Sequence, residues 1–334
     1  MKNPTDARGK ATVLESRPHS NQDSARVQMK CPSCGFELGD FPTVEDNSVK
    51  CPKCEYRIFW DGACWDACVD KTYPRSFARQ WVLWEEGKLG DPNLVYGNEP
   101  QKYFRELLDG TSLTEEALQS MKILEVGFGH GRTLQNLQKW CPNAYGIDLA
   151  RPARSSQLRP GSAIFGNLLN MPFAPGQFDL VLCRGVLHHT PNPAQSFASI
   201  AAQVADGGLL FFGGHYEPGI KASLQLRNIL PGSWLYPEPV LLGLASFFSV
   251  LRSALESVQH RTLSLKEFRR SYAHYKLDIF DVMTPRWSSL HDEKEVTGWF
   301  NAQGFEVRRL SPGEYVGVKN KNGTREIDPK RRPA

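Results

Sequence analysis

The chain has 334 residues, room for one large domain and a small one. A hydrophobic share of 40% against 23% charged residues excludes a fully disordered chain, and a net charge of +4 falls below that of a dedicated nucleic-acid binder. No run of about 18 uninterrupted apolar residues suggests a membrane span, and residues 1–28 lack the apolar core of a secretory signal, so a cytoplasmic protein with a polar, disordered tail is expected.

Residues 29–60 hold two Cys-x-x-Cys pairs, Cys31/Cys34 and Cys51/Cys54, sixteen residues apart. Each pair sets two thiolates on one tight turn, and two such turns together make a tetrahedral four-sulfur site suited to structural Zn2+. With four protein ligands no position is open, so this metal stabilises a ribbon module and does no chemistry. The alternatives are four reduced thiols or a redox pair. The latter needs a thioredoxin-like unit that the sequence does not suggest.

Residues 61–121 are rich in aromatics, as in FARQWVLWEEG, and read as short helices leading into the main domain. On such a helix Cys64 and Cys68 would share a face as a second metal pair. The favoured reading is small residues packed under aromatics. Cys141 reads as ordinary packing.

From Lys122 onward, apolar runs alternate with helical stretches: KILEVG, RTLQNLQKW, AYGID, SAIFGN, FDLVLCRG, PAQSFASIAAQVA and GLLFFGG. The helix over PAQSFASIAAQVA is expected to end at Asp206-Gly207-Gly208. Such alternation describes a parallel sheet with helices on both faces. The order breaks over residues 216–285, an insertion whose Pro231, Pro237 and Pro239 predict short helices. It resumes with EKEVTGWFNAQGF, whose Val296, Trp299 and Phe300 share one helix face, and two closing strands, FEVRRL and EYVGV. A basic tail fills 319–334.

ILEVGFGHGRT places Gly127, Gly129 and Gly131 at every second position after a strand, with Phe128 and Arg132 in the same loop. Side-chain-free positions let a ligand approach the backbone. Glu125, two residues before Gly127, is costly to bury without a cationic partner. Asp148 follows Gly127 by 21 residues, the place of a carboxylate that accepts from ribose hydroxyls. A ligand with a ribose, a cation and no pyrophosphate fits these groups, which describes S-adenosylmethionine better than NAD.

With these motifs in order, the chain resembles the class I S-adenosylmethionine-dependent methyltransferases of the type 11/12 kind, over Lys122–Gly214 and again over Glu293–Val318. ILEVGFGHGRT is similar to the first motif, YGIDLA to the second, GNLLNMPFAPGQFDLVLCRGVLHHTPNP to the adenine segment and fourth strand, and VADGGLLFFGG to the fifth. The resemblance implies an α/β, Rossmann-like seven-stranded sheet over 122–318 with its last strand inserted antiparallel. It places Glu125, Gly127 and Gly129 on the methionine side of the cofactor, Asp148 on the ribose and Leu149 against the adenine. Asn167 and Leu168 would flank the adenine, with Asn167 standing where the family most often has Asp. The backbone of Cys183 and Arg184 would face the methionine portion. The front half also resembles bacterial methyltransferases with an N-terminal ribbon like that of small zinc-containing methyltransferase activators.

Methyl transfer from a sulfonium needs alignment and water exclusion above all, and a base if the acceptor is a hydroxyl. His188 and His189 follow the fourth strand, where open sheets place substrate. His215 and Tyr216 form a second candidate pair. Residues 216–285, with the lead-in at 76–105, are expected to act as the acceptor-binding lid. Within them VLLGLASFFSVL reads as a buried lid helix, an interfacial helix touching lipid or a dimer contact, and at 12 residues core is the favoured reading. The expected partner is a small-molecule acceptor, O- or N-methylated. Nucleic acid is the weaker alternative, through an RNA methyltransferase. A catalytically silent S-adenosylmethionine-binding scaffold is the third reading, and peripheral lipid contact stays open.

Overall fold

The structure, a computed structural model, describes residues 26–70, 75–90, 105, 108–111, 113–151, 157–214, 225–261 and 264–320. His215 and Tyr216, the first residues of the insertion, the polar N-terminal residues and nearly all of the basic tail lie outside the described residues.

The core is the run of strands β6 (Ile123–Val126), β7 (Ala144–Asp148), β8 (Ala163–Phe165), β9 (Phe178–Arg184), β10 (Val204–Gly213), β11 (Phe305–Ser311) and β12 (Glu314–Lys319). Their spatial order is β11-β12-β10-β9-β6-β7-β8, with β12 antiparallel to both neighbours and the rest parallel. Seven strands with one antiparallel insertion were expected, and this is what forms. Successive strand residues point to opposite faces, and both faces are apolar. Leu124, Val181 and Phe212 meet Phe197 of α4 (Pro193–Ala201) and Phe300 of α8 (Glu293–Ala302) on one face. Ile123, Leu180 and Leu209 meet Leu118 of α2 (Glu115–Ser120) and Leu134 and Leu137 of α3 (Arg132–Trp140) on the other.

Three expectations are corrected. First, the cysteine-bearing region is continuous with this sheet. Strands β3 (Ser48–Lys50), β4 (Arg57–Trp60) and β5 (Trp65–Asp66) extend it to ten, with β5 parallel to β8 through Trp65 opposite Ile164. Residues 61–66 are therefore a turn and a strand, not a helix, because Trp65 is fully buried beside Trp60 and Phe41. Cys64 and Cys68 flank the strand, donating from Sγ to the Asp61 carboxylate and the Asp70 carbonyl. The hairpin of β1 (Gln28–Lys30) and β2 (Glu37–Asp40) packs on the same core: Phe41 stacks on Phe173 at 5.6 Å, and Lys30 N–H donates to the Pro172 carbonyl.

Second, α4 ends at Ala201, not at Asp206-Gly207-Gly208, which lie within β10. Val204 is buried and already pairs with Phe178, and the extra residues are absorbed as an irregularity between Val204 and Leu209, with Gly207 at φ +78°.

Third, Pro237 and Pro239 start a long helix instead of breaking the insertion into short ones. Pro237 caps α6 (Glu238–Gln259) and Pro239 lies in its first turn, where a missing N–H costs nothing. After the short α5 (Gln225–Ile229), α6 and α7 (Leu265–Met283) pair with α1 (Arg75–Glu85) around a third core of Leu83, Trp84, Leu241, Ala245, Leu277 and Phe280. Arg79 and Glu238 join α1 to α6 by a two-pronged ion pair at 2.6 and 2.9 Å. Among the described residues α6 alone is long and apolar enough, by length and composition, to cross a membrane. Interrupting glycine and serine residues hide it from a count of uninterrupted apolar residues.

Candidate active site

The turn from β6 into α3 runs along one wall of a cavity of about 450 Å³. Gly127 and Gly129 line it at φ +78° and +56°, a left-handed conformation that L side chains rarely adopt. A Cβ on Gly129 would also lie 2.8 Å from the Trp81 indole, so α1 covers the loop from above. Gly129 N–H donates to one oxygen of Asp148 at 2.7 Å and Ala150 N–H to the other at 2.6 Å. The carboxylate at the end of β7 thus fixes the loop that follows β6.

Glu125 and Asp148 stand together at this end of the cavity. Burial, then the neighbouring Asp148 charge, pushes the Glu125 carboxyl up to about 8. Burial raises Asp148 to about 6 against the pull of the N–H groups of Ala150, Gly129 and Leu149. Two adjacent carboxyls, Glu125 buried and Asp148 half-buried, are what a cationic ligand would stabilise. An α-ammonium or sulfonium fits that requirement.

Phe128, Arg132, Leu149, Leu168 and Arg184 line the cavity as well. Arg132 lies over the Trp84 ring at 5.2 Å, and Arg184 pairs with Glu314 at 3.2 Å. Three residues expected at the cofactor do not line it. Asn167 turns its carbonyl oxygen back to Leu169 N–H at 2.9 Å, capping the turn at Leu168–Asn170, and Gly166 and Leu168 take the wall instead. Cys183 is buried in β9 with its thiol pushed up by burial and by Glu125. Gly131, at φ +84°, opens α3, where a Cβ would press on Leu158 at 3.3 Å.

The two adjacent histidines separate. Both are buried in the turn at Leu187–His189, but only His189 lines the cavity. His188 offers its backbone carbonyl to Ser289 N–H at 2.9 Å and so holds the 284–290 segment. His189 Nδ1 is 3.3 Å from the carbonyl of Trp287, and Nε2 faces Asp281 at 3.5 Å. Gln80 of α1 donates to the other Asp281 oxygen at 3.0 Å.

Gln80, Trp81, His130 and Asp281 are site residues that sequence reasoning missed. His130 sits against Trp81 and Trp84 with ring centres 5.0 and 4.6 Å away. A signal for Asp281 existed: His274, Leu277, Asp278 and Asp281 recur at helical spacing and all line the cavity.

Away from this cavity the Sγ atoms of Cys31, Cys34, Cys51 and Cys54 all lie within 4.8 Å of one another. The two knuckles repeat one geometry. Cys31 N–H donates to Phe36 and Cys51 N–H to Tyr56, each at 2.8 Å, and Gly35 and Glu55 take matching positive φ of 73° and 61°. Among the described residues these four are the one such cluster of metal-ligating side chains. A closed set of four sulfurs fits Zn2+.

Residues 124–212 match a family model described as a methyltransferase domain. Among curated proteins, the ubiquinone biosynthesis O-methyltransferase of Colwellia psychrerythraea is 31% identical over 125 residues, 33% of this chain and 51% of that protein. Its namesake in Albidiferax ferrireducens is 34% identical over 100 residues, 27% of this chain and 40% of that protein. The chain thus spans about half the length of the curated relatives it matches. A solved magnesium protoporphyrin IX methyltransferase from Synechocystis PCC 6803 with bound SAH superposes at a TM-score of 0.41 and 12% identity, over 72% of this chain and 95% of that one. The glycine turn and the paired carboxyls fall in the matched segment, and residues 124–212 therefore carry a methyltransferase domain.

Proposed function

We propose that the protein methylates a hydroxyl of a small, partly apolar molecule, with His189 as the base. The observation that carries this is the position of His189 and Asp281 on the wall of the cavity that holds Glu125 and Asp148. S-adenosylmethionine supplies a methyl group on a sulfonium. Glu125 takes the cationic methionine end, the glycine turn lies against the cofactor and Asp148 accepts from the ribose. His189 Nε2 removes the acceptor proton, and the Asp281 carboxylate stabilises the resulting imidazolium. Trp287, through its carbonyl at Nδ1, and Asp281 at Nε2 orient the ring. Trp81 and Leu277, with Gln80 behind Asp281, exclude water and offer the acceptor a largely apolar wall. The names of the curated relatives favour oxygen as the acceptor atom. The four cysteines hold one zinc ion whose role is structural.

The test is mass spectrometry of the purified chain with S-adenosylmethionine and a panel of phenols, catechols and amines. A gain of one methyl on a hydroxyl acceptor is expected. His189→Ala should lower turnover by about 10²–10⁴-fold and leave cofactor affinity unchanged. Methylation of amines alone, or wild-type turnover by His189→Ala, would overturn the assignment.

A further inference from the structure

Helix α6 is apolar on both sides. Toward α7 and α1 its buried positions are Leu241, Ala245, Ser249 and Ser253, flanked by half-buried Leu242, Leu244 and Phe248. A second set of large apolar side chains faces solvent. Val240, Phe247, Val250, Leu251, Leu255 and Val258 are all exposed, Phe247 by 64% and Val258 by 75%. Exposed Gly243 and Ala254 fill the same arc. At 1.5 Å per residue the strip from Val240 to Val258 is about 27 Å long. The helix's charged residues lie on its flanks: Glu238 is held by Arg79, Arg252 lies over Tyr275 at 4.6 Å, and Glu256 is half-buried.

A helix that packs one apolar side on its neighbours and turns a second row of bulky apolar side chains outward lacks the polar face of a helix that meets water. A strip this apolar on a protein surface marks an interaction site. Two further features choose the occupant. An interface with a folded protein carries polar pairs that fix its register, and this strip offers none along its length. Beyond its C-terminal end stand Arg261, Lys266, Arg269 and Arg270, all exposed, with Glu267 the one acid among them. Exposed Leu265 lies in this group, and exposed Trp234 and Leu235 stand before the other end. An apolar strip with a basic cluster beside it is complementary to an anionic lipid surface.

We infer that the exposed face of α6 lies in the plane of an anionic bilayer, with Arg261, Lys266, Arg269 and Arg270 against the headgroups. The inference does not depend on the identity of the methyl acceptor. It is tested by sedimenting the full chain with vesicles of phosphatidylcholine alone or of phosphatidylcholine and phosphatidylglycerol at 3:1, while light scattering reports the oligomeric state without lipid. Binding to the anionic vesicles, weakening with added salt, is expected. Phe247→Glu combined with Leu251→Glu should weaken it by at least about tenfold, and so should Lys266→Glu with Arg269→Glu. Both pairs sit on exposed positions, and an unchanged circular dichroism spectrum and Tm confirm the fold. Absence of sedimentation with either vesicle would overturn the inference, as would binding that ignores the α6 substitutions. A lipid-free dimer that Phe247→Glu converts to a monomer would instead assign the strip to a second copy of the chain.

Discussion

Glu125, one residue before the end of β6, has its carboxyl raised from about 4.5 to about 8, and this fixes the sign of two pH effects. A group whose pKa is raised in the folded state binds its proton more tightly there. Its contribution to stability is therefore present below the unfolded value and is lost as pH rises through the folded value. Without cofactor, the wild type should lose stability relative to Glu125→Gln between about pH 4.5 and 8, by at most about 1.4 kcal/mol per pH unit, and denaturant unfolding across that window checks it. A cationic cofactor favours the ionised carboxylate, so binding should release protons and strengthen from pH 6 to 8. Calorimetry in two buffers of different ionisation enthalpy measures that release, and equal heats would contradict it. The roles of Glu125 and Asp148 could be proposed from sequence because strand ends and a 21-residue spacing are one-dimensional signals. Asn167 was not legible, since a capping bond two residues ahead decides where its side chain points. Nor was the division of labour between His188 and His189, which a single short turn sends in different directions.

At the scale of elements, the paired cysteines were plain in the sequence, but their continuity with the main sheet was not. Parallel pairing of Trp65 with Ile164 and the bridge of Met29 to Phe173 are contacts between distant residues, and no local pattern encodes them. They alter what loss of the metal should do. An isolated ribbon would unfold alone, whereas this one shares a sheet and a core with β7 and β8. We expect one zinc per chain by elemental analysis of protein purified under reducing conditions. Cys51→Ser should lower a single cooperative Tm and should not create a separate early transition. Calorimetric scanning distinguishes the two, and a second, unshifted main transition would show that the hairpins are independent.

Across the whole molecule three cores divide the work. Two lie on the faces of the sheet and support the end of the cavity that holds Glu125 and Asp148; the third joins α1, α6 and α7 into a cap and supplies Gln80, Trp81, Leu277 and Asp281 at the other end. The alternation of strands and helices made the sheet legible. The cap was legible only as an interruption, because its helices pair across more than 150 residues, as Arg79 does with Glu238. If the cap governs the acceptor, loosening its core at a distance from the cavity should damage transfer more than cofactor binding. Leu241 serves for this, being buried in the third core and absent from the cavity wall. Leu241→Ala removes three carbons from a packed site at a cost of about 2–5 kcal/mol, which falls first on the α6–α7 pair. Hydrogen exchange should therefore rise in α6 and α7 while β6 and β9 stay protected. Cofactor affinity should remain within about threefold of wild type, because Glu125, Asp148 and the glycine turn rest on the sheet cores. Turnover should fall by at least about tenfold, since a displacement near 1 Å of Asp281 or the cap wall is enough to spoil alignment. Equal losses in cofactor affinity and turnover would mean that the cap and the sheet behave as one unit, and that acceptor alignment is not a separate property of the third core.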